Sequence, residues 1–429
     1  MVRKLLFVLF FTLAPTHAHA GEAGPVMRQW YKLVLELVRH TPTYSPPVAS
    51  RSFAYLGVTG YEVVVSGKAG LTSLAGQLNG LTPLPKRPRM VYDEAVVMQA
   101  AMAASVRVFF GNTGPSGQQA MDRMEAALDA KVAEGVAPDV VQRSREYGQR
   151  IAQHILDWSA SDGGAVVENM GFPREWVVSP EPGHWKPTSL VAQQQAPLLP
   201  GWGENRPFAM PAGSTCDLPA PPAYSEDPAS EFMRNAQEVY DVSKSLSPEQ
   251  KKIARFWSDD PMLSPTPPGH WVSIVLTLID RDQLDTARTA DALMRIGVGV
   301  ADAFIGCWWA KYEYDYVRPV TVIKKLIDPK WETLLITPPF PEYPSGHSTQ
   351  SGAAAEVLTG VFGEDFAFDD PTHEDDGIPA RHFPSFRAAA EEAAVSRLYG
   401  GIHFRPANEN GLKQGECIGA YTVALRTLP

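Results

Sequence analysis

Cysteine is scarce in this chain: Cys216, Cys307 and Cys417 are the only three in 429 residues. Their separations match no zinc-ligand spacing, and in an oxidising compartment one pair could bond and leave one thiol over. Cations are outnumbered too, 38 Lys and Arg against 48 Asp and Glu, and a net charge of −10 argues against nucleic acid as a partner. Long apolar runs are missing beyond the first twenty residues. The two best, VVMQAAMAASVRVFFG and IGVGVADAFIGCWWAK, carry Arg107 and Asp302 and fit buried helices rather than membrane spans. Alternating, β-branched strand patterns are nearly absent and no internal repeat is detectable, which leaves little room for sheet or solenoid classes.

What is present begins with a leader. MVRKLLFVLFFTLAPTHAHA has Arg3 and Lys4, an apolar run from Leu5 to Ala14, and Ala18-His19-Ala20 before Gly21. That is the pattern of a cleaved secretory signal over 1–20, too short to span a membrane. An exported protein, periplasmic or secreted, is therefore expected, soluble and with no membrane span in the mature chain. Loss of Arg3 and Lys4 takes the cations from 38 to 36 against an unchanged 48 acids, so the mature chain carries −12. Roughly 400 mature residues exceed one ordinary core, which suggests one large domain or two packed halves.

Helical periodicity dominates the rest. Val26, Trp30, Val34 and Leu37 fall on one stripe, and similar patterns recur to Ala160. From Ser161 to Pro228 Trp, Pro and Gly crowd in and the period fades, as in a long ordered connection packed over a core. Helical patterning resumes at Ser230. The expectation is an all-α protein, a helical bundle with a long irregular Pro/Trp-rich connection, divided as 1–20, 21–228 and 229–429.

Three segments of the second half concentrate cations and histidines. In WWAKYEYDYVRPV, Lys311 and Arg318 stand seven residues apart; on one helix both would leave the same face, with Pro319 marking its end. In PPFPEYPSGHSTQSG, Ser345-Gly346-His347 open onto a small-residue helical run. A Ser cap, a Gly that admits close backbone approach and a helix N-terminus make an anion cradle, and the histidine can carry a proton. In EEAAVSRLYGGIHFRPANENG, Arg397 precedes His403 by six residues. Each segment alone has an ordinary explanation: a solvated Lys/Arg face, a capped turn, a core histidine. Together, three cations nearly balance a trivalent oxyanion, and two histidines can titrate near neutral pH.

The order Lys-x6-Arg-Pro, Pro-Ser-Gly-His, Ser-Arg-x5-His resembles the signature shared by type 2 phosphatidic acid phosphatases, bacterial class A acid phosphatases and vanadium-dependent haloperoxidases. The resemblance is specific over 256–419 and implies a helical bundle holding an anion between helices. By that resemblance Lys311, Arg318 and Arg397 neutralise the equatorial oxygens of phosphate or vanadate. Ser345 Oγ and the Gly346 N–H donate to it as well. His403 is then the axial vanadium ligand or the phosphoryl nucleophile, and His347 the acid–base group. Lys311 would also polarise bound peroxide.

Neighbouring residues favour the haloperoxidase branch. Trp308 and Phe340 match the aromatic halide-pocket residues of fungal chloroperoxidases, and FWSDDPMLSPTPPGHW is similar to a haloperoxidase segment in which an acid pairs with an active-site arginine. Asp259 is the candidate acid, with Asp260 in reserve. One departure stands out: Ala407 occupies the place of a frequent Asp that orients the axial histidine, so Asn408, Glu409 or a backbone carbonyl is expected to substitute. The implied reaction oxidises halide with hydrogen peroxide at vanadate, with an organic acceptor. The alternative is an exported acid phosphatase using phosphate as substrate and His403 as nucleophile.

Overall fold

A computed structural model describes residues 22–429 except 174, 261 and 263; the expected leader over 1–20 lies outside them. The stripe of Val26, Trp30, Val34 and Leu37 forms the buried face of α1 (Ala23–Arg39). It is followed by α2 (Pro46–Gly67), α3 (Glu94–Phe109), α4 (Pro115–Ala133), α5 (Pro138–Ser159) and α6 (Gly164–Met170). After the connection come α7 (Glu231–Ser245), α8 (Pro248–Phe256), α9 (Thr266–Asp282), α10 (Thr286–Tyr314) and α11 (Pro319–Leu326). The chain closes with α12 (Gly346–Phe362), α13 (Phe386–Tyr399) and α14 (Arg405–Val423). The fold is an all-α bundle; among the described residues its one sheet is a small antiparallel pair, β1 (Phe368–Asp370) with β2 (Arg381–Phe383).

Two helices are buried on nearly every side and organise the rest. α2 is covered from Pro47 to Val64, and α10 along most of its 29 residues, as expected for helices apolar all round. They pack on each other, and α10 also meets α12 and α14. The principal hydrophobic cluster runs from Ala23 to Leu425 and draws on both halves of the chain. α12 and α14 approach closely because glycine lines their seam: a Cβ on Gly415 would lie 2.0 Å from the Thr349 carbonyl oxygen. That contact fixes the start of α12 against the chain that carries His403.

The Pro/Trp-rich connection is ordered by specific bonds. Asp302 of α10 accepts from the backbone N–H groups of Phe208, Ala209 and Met210 at 2.6, 2.8 and 3.0 Å. Trp185 and Trp202 are buried, and Leu198 donates its N–H to Pro339 while its carbonyl accepts from Trp308 Nε1 at 3.2 Å. A disulfide joins Cys216 to Cys417, tying the connection to α14, and Cys307 is the free, buried thiol. Among the described residues no helix is long and apolar enough to cross a membrane.

Candidate oxyanion site

The helix boundaries correct one sequence expectation. Lys311 and Arg318 do not share a helix. Asp315 adopts a left-handed conformation (φ 42°) that ends α10 after Tyr314, and Arg318 is the cap residue of α11, whose first residue is Pro319. A proline at the first helical position starts a helix, because its missing N–H would have been unsatisfied there anyway. The two cations nevertheless converge: Lys311 Nζ and the Arg318 guanidinium each lie 5.1 Å from the centre of the Phe340 ring.

Ser345 caps α12 as anticipated, its Oγ accepting from the Ser348 N–H at 3.3 Å, which leaves its own hydroxyl proton free to donate. Gly346 is the first helical residue, and a Cβ built there would come no closer than 3.7 Å to the Trp308 ring. Packing therefore does not require glycine at this point. Trp308 and Phe340 lie side by side, ring centroids 4.9 Å apart, forming an aromatic wall beside the cations.

His403 sits between α13 and α14 and is held at both nitrogens. Arg318 Nη1 donates to its Nε2 at 3.1 Å, while its Nδ1 lies 2.9 Å from Glu342 Oε1. An arginine can only donate and a carboxylate only accept, so the proton belongs on Nδ1 and the lone pair on Nε2. A metal ligand or a nucleophile needs that lone pair. Burial, then Arg318, Lys311, Arg397 and His347, hold His403 well below its ordinary value, so the ring stays neutral.

Glu342 is the orienting acceptor that the sequence reading missed. It is buried, accepts also from the Phe404 N–H at 2.9 Å, and is pushed up to about 7 by burial against the opposing pull of Arg318. Neither sequence candidate takes this role: Asn408 accepts from Ser348 Oγ at 3.5 Å, and Glu409 faces Arg405 at 3.9 Å. Ala407 contributes its carbonyl, which accepts from the Ser345 N–H at 3.1 Å. The signal was present in PFPEYPSGH, three residues before the cap, but the contact spans 61 residues.

The three cations are buried and, among the described residues, none is in an ion pair. Lys311 donates to the carbonyls of Pro341, Glu342 and Pro344, and burial brings it down to about 7. Burial likewise takes Arg318 and Arg397 down to about 10. Arg318 also donates to the carbonyls of Phe340 and Ile402, and Arg397 to that of Trp257. Arg318 Nη2 and Arg397 Nε lack a hydrogen-bond partner. Buried guanidinium groups without a counter-charge are costly unless an anion completes them.

Asp259 departs from expectation as well. Among the described residues it forms no ion pair with an arginine; it accepts from Ser264 Oγ at 3.0 Å and His270 Nδ1 at 2.8 Å, and acts on Arg397 only through space, as Asp260 does. Asp259 has a left-handed backbone, φ +50°, and its carboxylate is engaged by His270 of α9. Its second oxygen faces His347 Nε2 at 3.5 Å. His347 is down at about 4, chiefly through burial and then Arg397.

Known proteins share both fold and motifs. A family model described as the VCPO second helical-bundle domain matches residues 291–427. The solved structure of the first bacterial vanadium-dependent iodoperoxidase is 39% identical, with a TM-score of 0.86 over 94% of this chain and 97% of that one. A vanadium chloroperoxidase from Curvularia inaequalis is 26% identical over 224 residues, 38% of this chain and 37% of that protein. A vanadium-dependent bromoperoxidase from Ascophyllum nodosum is 38% identical over 104 residues, 21% of this chain and 18% of that protein. The matches thus span little more than a third, and under a fifth, of these two relatives' lengths. The chain belongs to the vanadium-dependent haloperoxidase family.

Proposed function

We propose that this protein is a haloperoxidase that oxidises halide with hydrogen peroxide at a vanadate held by His403. The observation that carries the reading is the lone pair of His403 Nε2, set by Glu342, within a group of three buried cations that have no carboxylate partner. The donor set fits vanadate: one neutral imidazole, two guanidinium nitrogens lacking partners, a hydroxyl and a helix N-terminus. When bound, vanadate would supply a Lewis acid that activates peroxide without changing oxidation state.

The chain's own residues would do the rest. Arg318 and Arg397 neutralise the anion's oxygens through the nitrogens that lack partners, and Lys311 joins them by giving up one loop carbonyl. Ser345 Oγ and the Gly346 N–H complete the cradle. His347, neutral at pH 7, accepts the proton that peroxide loses and returns it to the departing oxygen. Trp308 and Phe340 supply an apolar wall against which a weakly hydrated halide approaches. An exported enzyme matches the leader and the Cys216–Cys417 bond.

Glu342 also revives the second reading. A nucleophilic histidine needs an acceptor on its far nitrogen, and Glu342 provides one, so phosphate-ester hydrolysis through His403 stays in contention. The test compares protein preincubated with orthovanadate or with phosphate. Peroxide-dependent oxidation of iodide and bromination of monochlorodimedone, present only after vanadate and lost in His403→Ala, support the peroxidase. Vanadate-inhibited hydrolysis of p-nitrophenyl phosphate without halide oxidation would assign the phosphatase instead.

A further inference from the structure

Beside His347 lies a second buried polar chain that the proposed reaction does not use. His270 of α9 is buried, with Nδ1 2.8 Å from Asp259 Oδ1 and Nε2 2.8 Å from Asp370 Oδ2 at the end of β1. Asp370 is itself fixed by the Thr372 N–H on its other oxygen at 3.1 Å. Two carboxylates can only accept, so both ring nitrogens of His270 carry protons and the ring is a cation. Trp257 stacks on it at 4.6 Å and Phe256 meets its edge, which closes the ring off from water. Asp259, His270 and His373 are close enough to surround a metal ion, but a doubly protonated His270 has no lone pair to offer one.

We infer that Asp259, His270 and Asp370 form a buried relay in which His270 takes half of the Asp259 carboxylate and thereby keeps His347 an uncharged proton acceptor. His347 and His270 compete for one carboxylate: Oδ1 goes to His270 and Oδ2 faces His347 Nε2 at the longer distance of 3.5 Å. Neither Asp259 Oδ2 nor His347 Nε2 has a hydrogen-bond partner at that distance, so Asp259 attracts His347 through space without pulling hard enough to make it a standing cation. In the reaction a bond forms between an unprotonated ring nitrogen of His347 and the peroxide proton as the O–H bond breaks. The proton leaves again with the departing oxygen, and Asp259 stays ionised throughout. His270 and Asp370 are positioning residues here, since they act through Asp259.

The groups facing this chain are few. Arg397 of α13 acts on His347 and on Asp259, His270 acts on His347 from α9, and Asp260 lies beside Asp259. A charged His347 would further disfavour a charged His403. His373 lies against His270 with ring centroids 5.0 Å apart and approaches Asp259 at 3.6 Å, with Asp376 on its other nitrogen. The largest opposing influences on His347 are thus Arg397 and Asp259. Freeing Asp259 from His270 shifts the balance toward a charged His347.

The inference rests on His347 being the acid–base group, and its test reads the relay without turnover. Vanadate-free protein carrying 13C-labelled histidine is titrated by NMR, with the His347 signal assigned by its loss in His347→Gln. In Asp259→Asn the His347 midpoint falls, because the carboxylate facing it loses its charge. In His270→Gln it rises by about one pH unit or more, because Asp259 is released and a neighbouring cation is gone. His270→Asn removes the same cation with a shorter side chain and moves the midpoint in the same upward direction, so it carries the test if His270→Gln does not fold. The acid limb of kcat/KM for halide oxidation moves with the same signs. Midpoints that stay fixed, or that move the same way in Asp259→Asn and His270→Gln, overturn the relay. Shifted midpoints in a protein that oxidises no halide would leave the relay standing and remove the proposed function.

Discussion

His403 and His270 are both buried histidines with both ring nitrogens engaged, and they end in opposite states. His403 is surrounded by Arg318, Lys311 and Arg397 with one carboxylate, itself pushed up to about 7, and it stays neutral. His270 lies between two carboxylates and is raised to about 10, the gain from Asp259 and Asp370 exceeding the cost of burial. Burial alone lowers both. The sign of the nearest charges decides which histidine offers a lone pair and which serves as a fixed cation. His347 stands between them, with Arg397 on one side and Asp259 on the other, and at about 4 it belongs with the neutral kind.

The sharpest way to break this contrast is to delete the lone pair. His403→Ala is expected to abolish vanadate binding and halide oxidation together, measured by equilibrium dialysis and by iodide oxidation; retention of both would remove His403 from the site. Arg397→Ala takes away a guanidinium with no ion-pair partner and is expected to cost on the order of 10²–10³ in turnover, as loss of an oxyanion donor does. Glu342→Gln keeps the shape but loses the charge that fixes the Nδ1 proton. Vanadate affinity should fall about 10–100-fold, while thermal unfolding moves little.

The His270 side sharpens the contrast through stability. A histidine raised from 6.5 to about 10 holds its proton more tightly folded than unfolded. Its contribution is full below pH 6.5 and is lost as pH rises through about 10. The stability gap between wild type and His270→Gln, on the order of a few kcal/mol at pH 6, should therefore shrink steadily toward pH 10 in denaturant titrations. A gap that widened with pH would mean that His270 is neutral. The smallest effect on chemistry is expected from Cys216→Ser with Cys417→Ser. It should cost about 2–5 kcal/mol of stability, read by thermal unfolding, and leave vanadate affinity unchanged.

What the sequence conveyed was local. The Ser345 cap and the glycine after it were legible because each is a short-range pattern, Trp308 and Phe340 only through resemblance to a known family, and the all-α fold because helical periodicity is strong. The break between Lys311 and Arg318 was not, since a left-handed Asp315 carries no marker that distinguishes it from a helical aspartate. The role of Glu342 was hidden by distance along the chain. Its motif was conspicuous, but nothing local says that position 342 meets position 403. Asp370 was the least visible: it lies 100 residues from His270, and only the packing of β1 beside α9 joins them.

The central claim is that three buried cations without carboxylate partners and one oriented imidazole hold a tetrahedral oxyanion. Its most direct test is equilibrium binding of vanadate to wild type, Arg397→Ala and His403→Ala, with phosphate as competitor. One vanadate per chain, displaced by phosphate, weakened in Arg397→Ala and lost in His403→Ala, is the result expected. Absence of vanadate binding to the folded wild type, or binding that neither substitution alters, would contradict it.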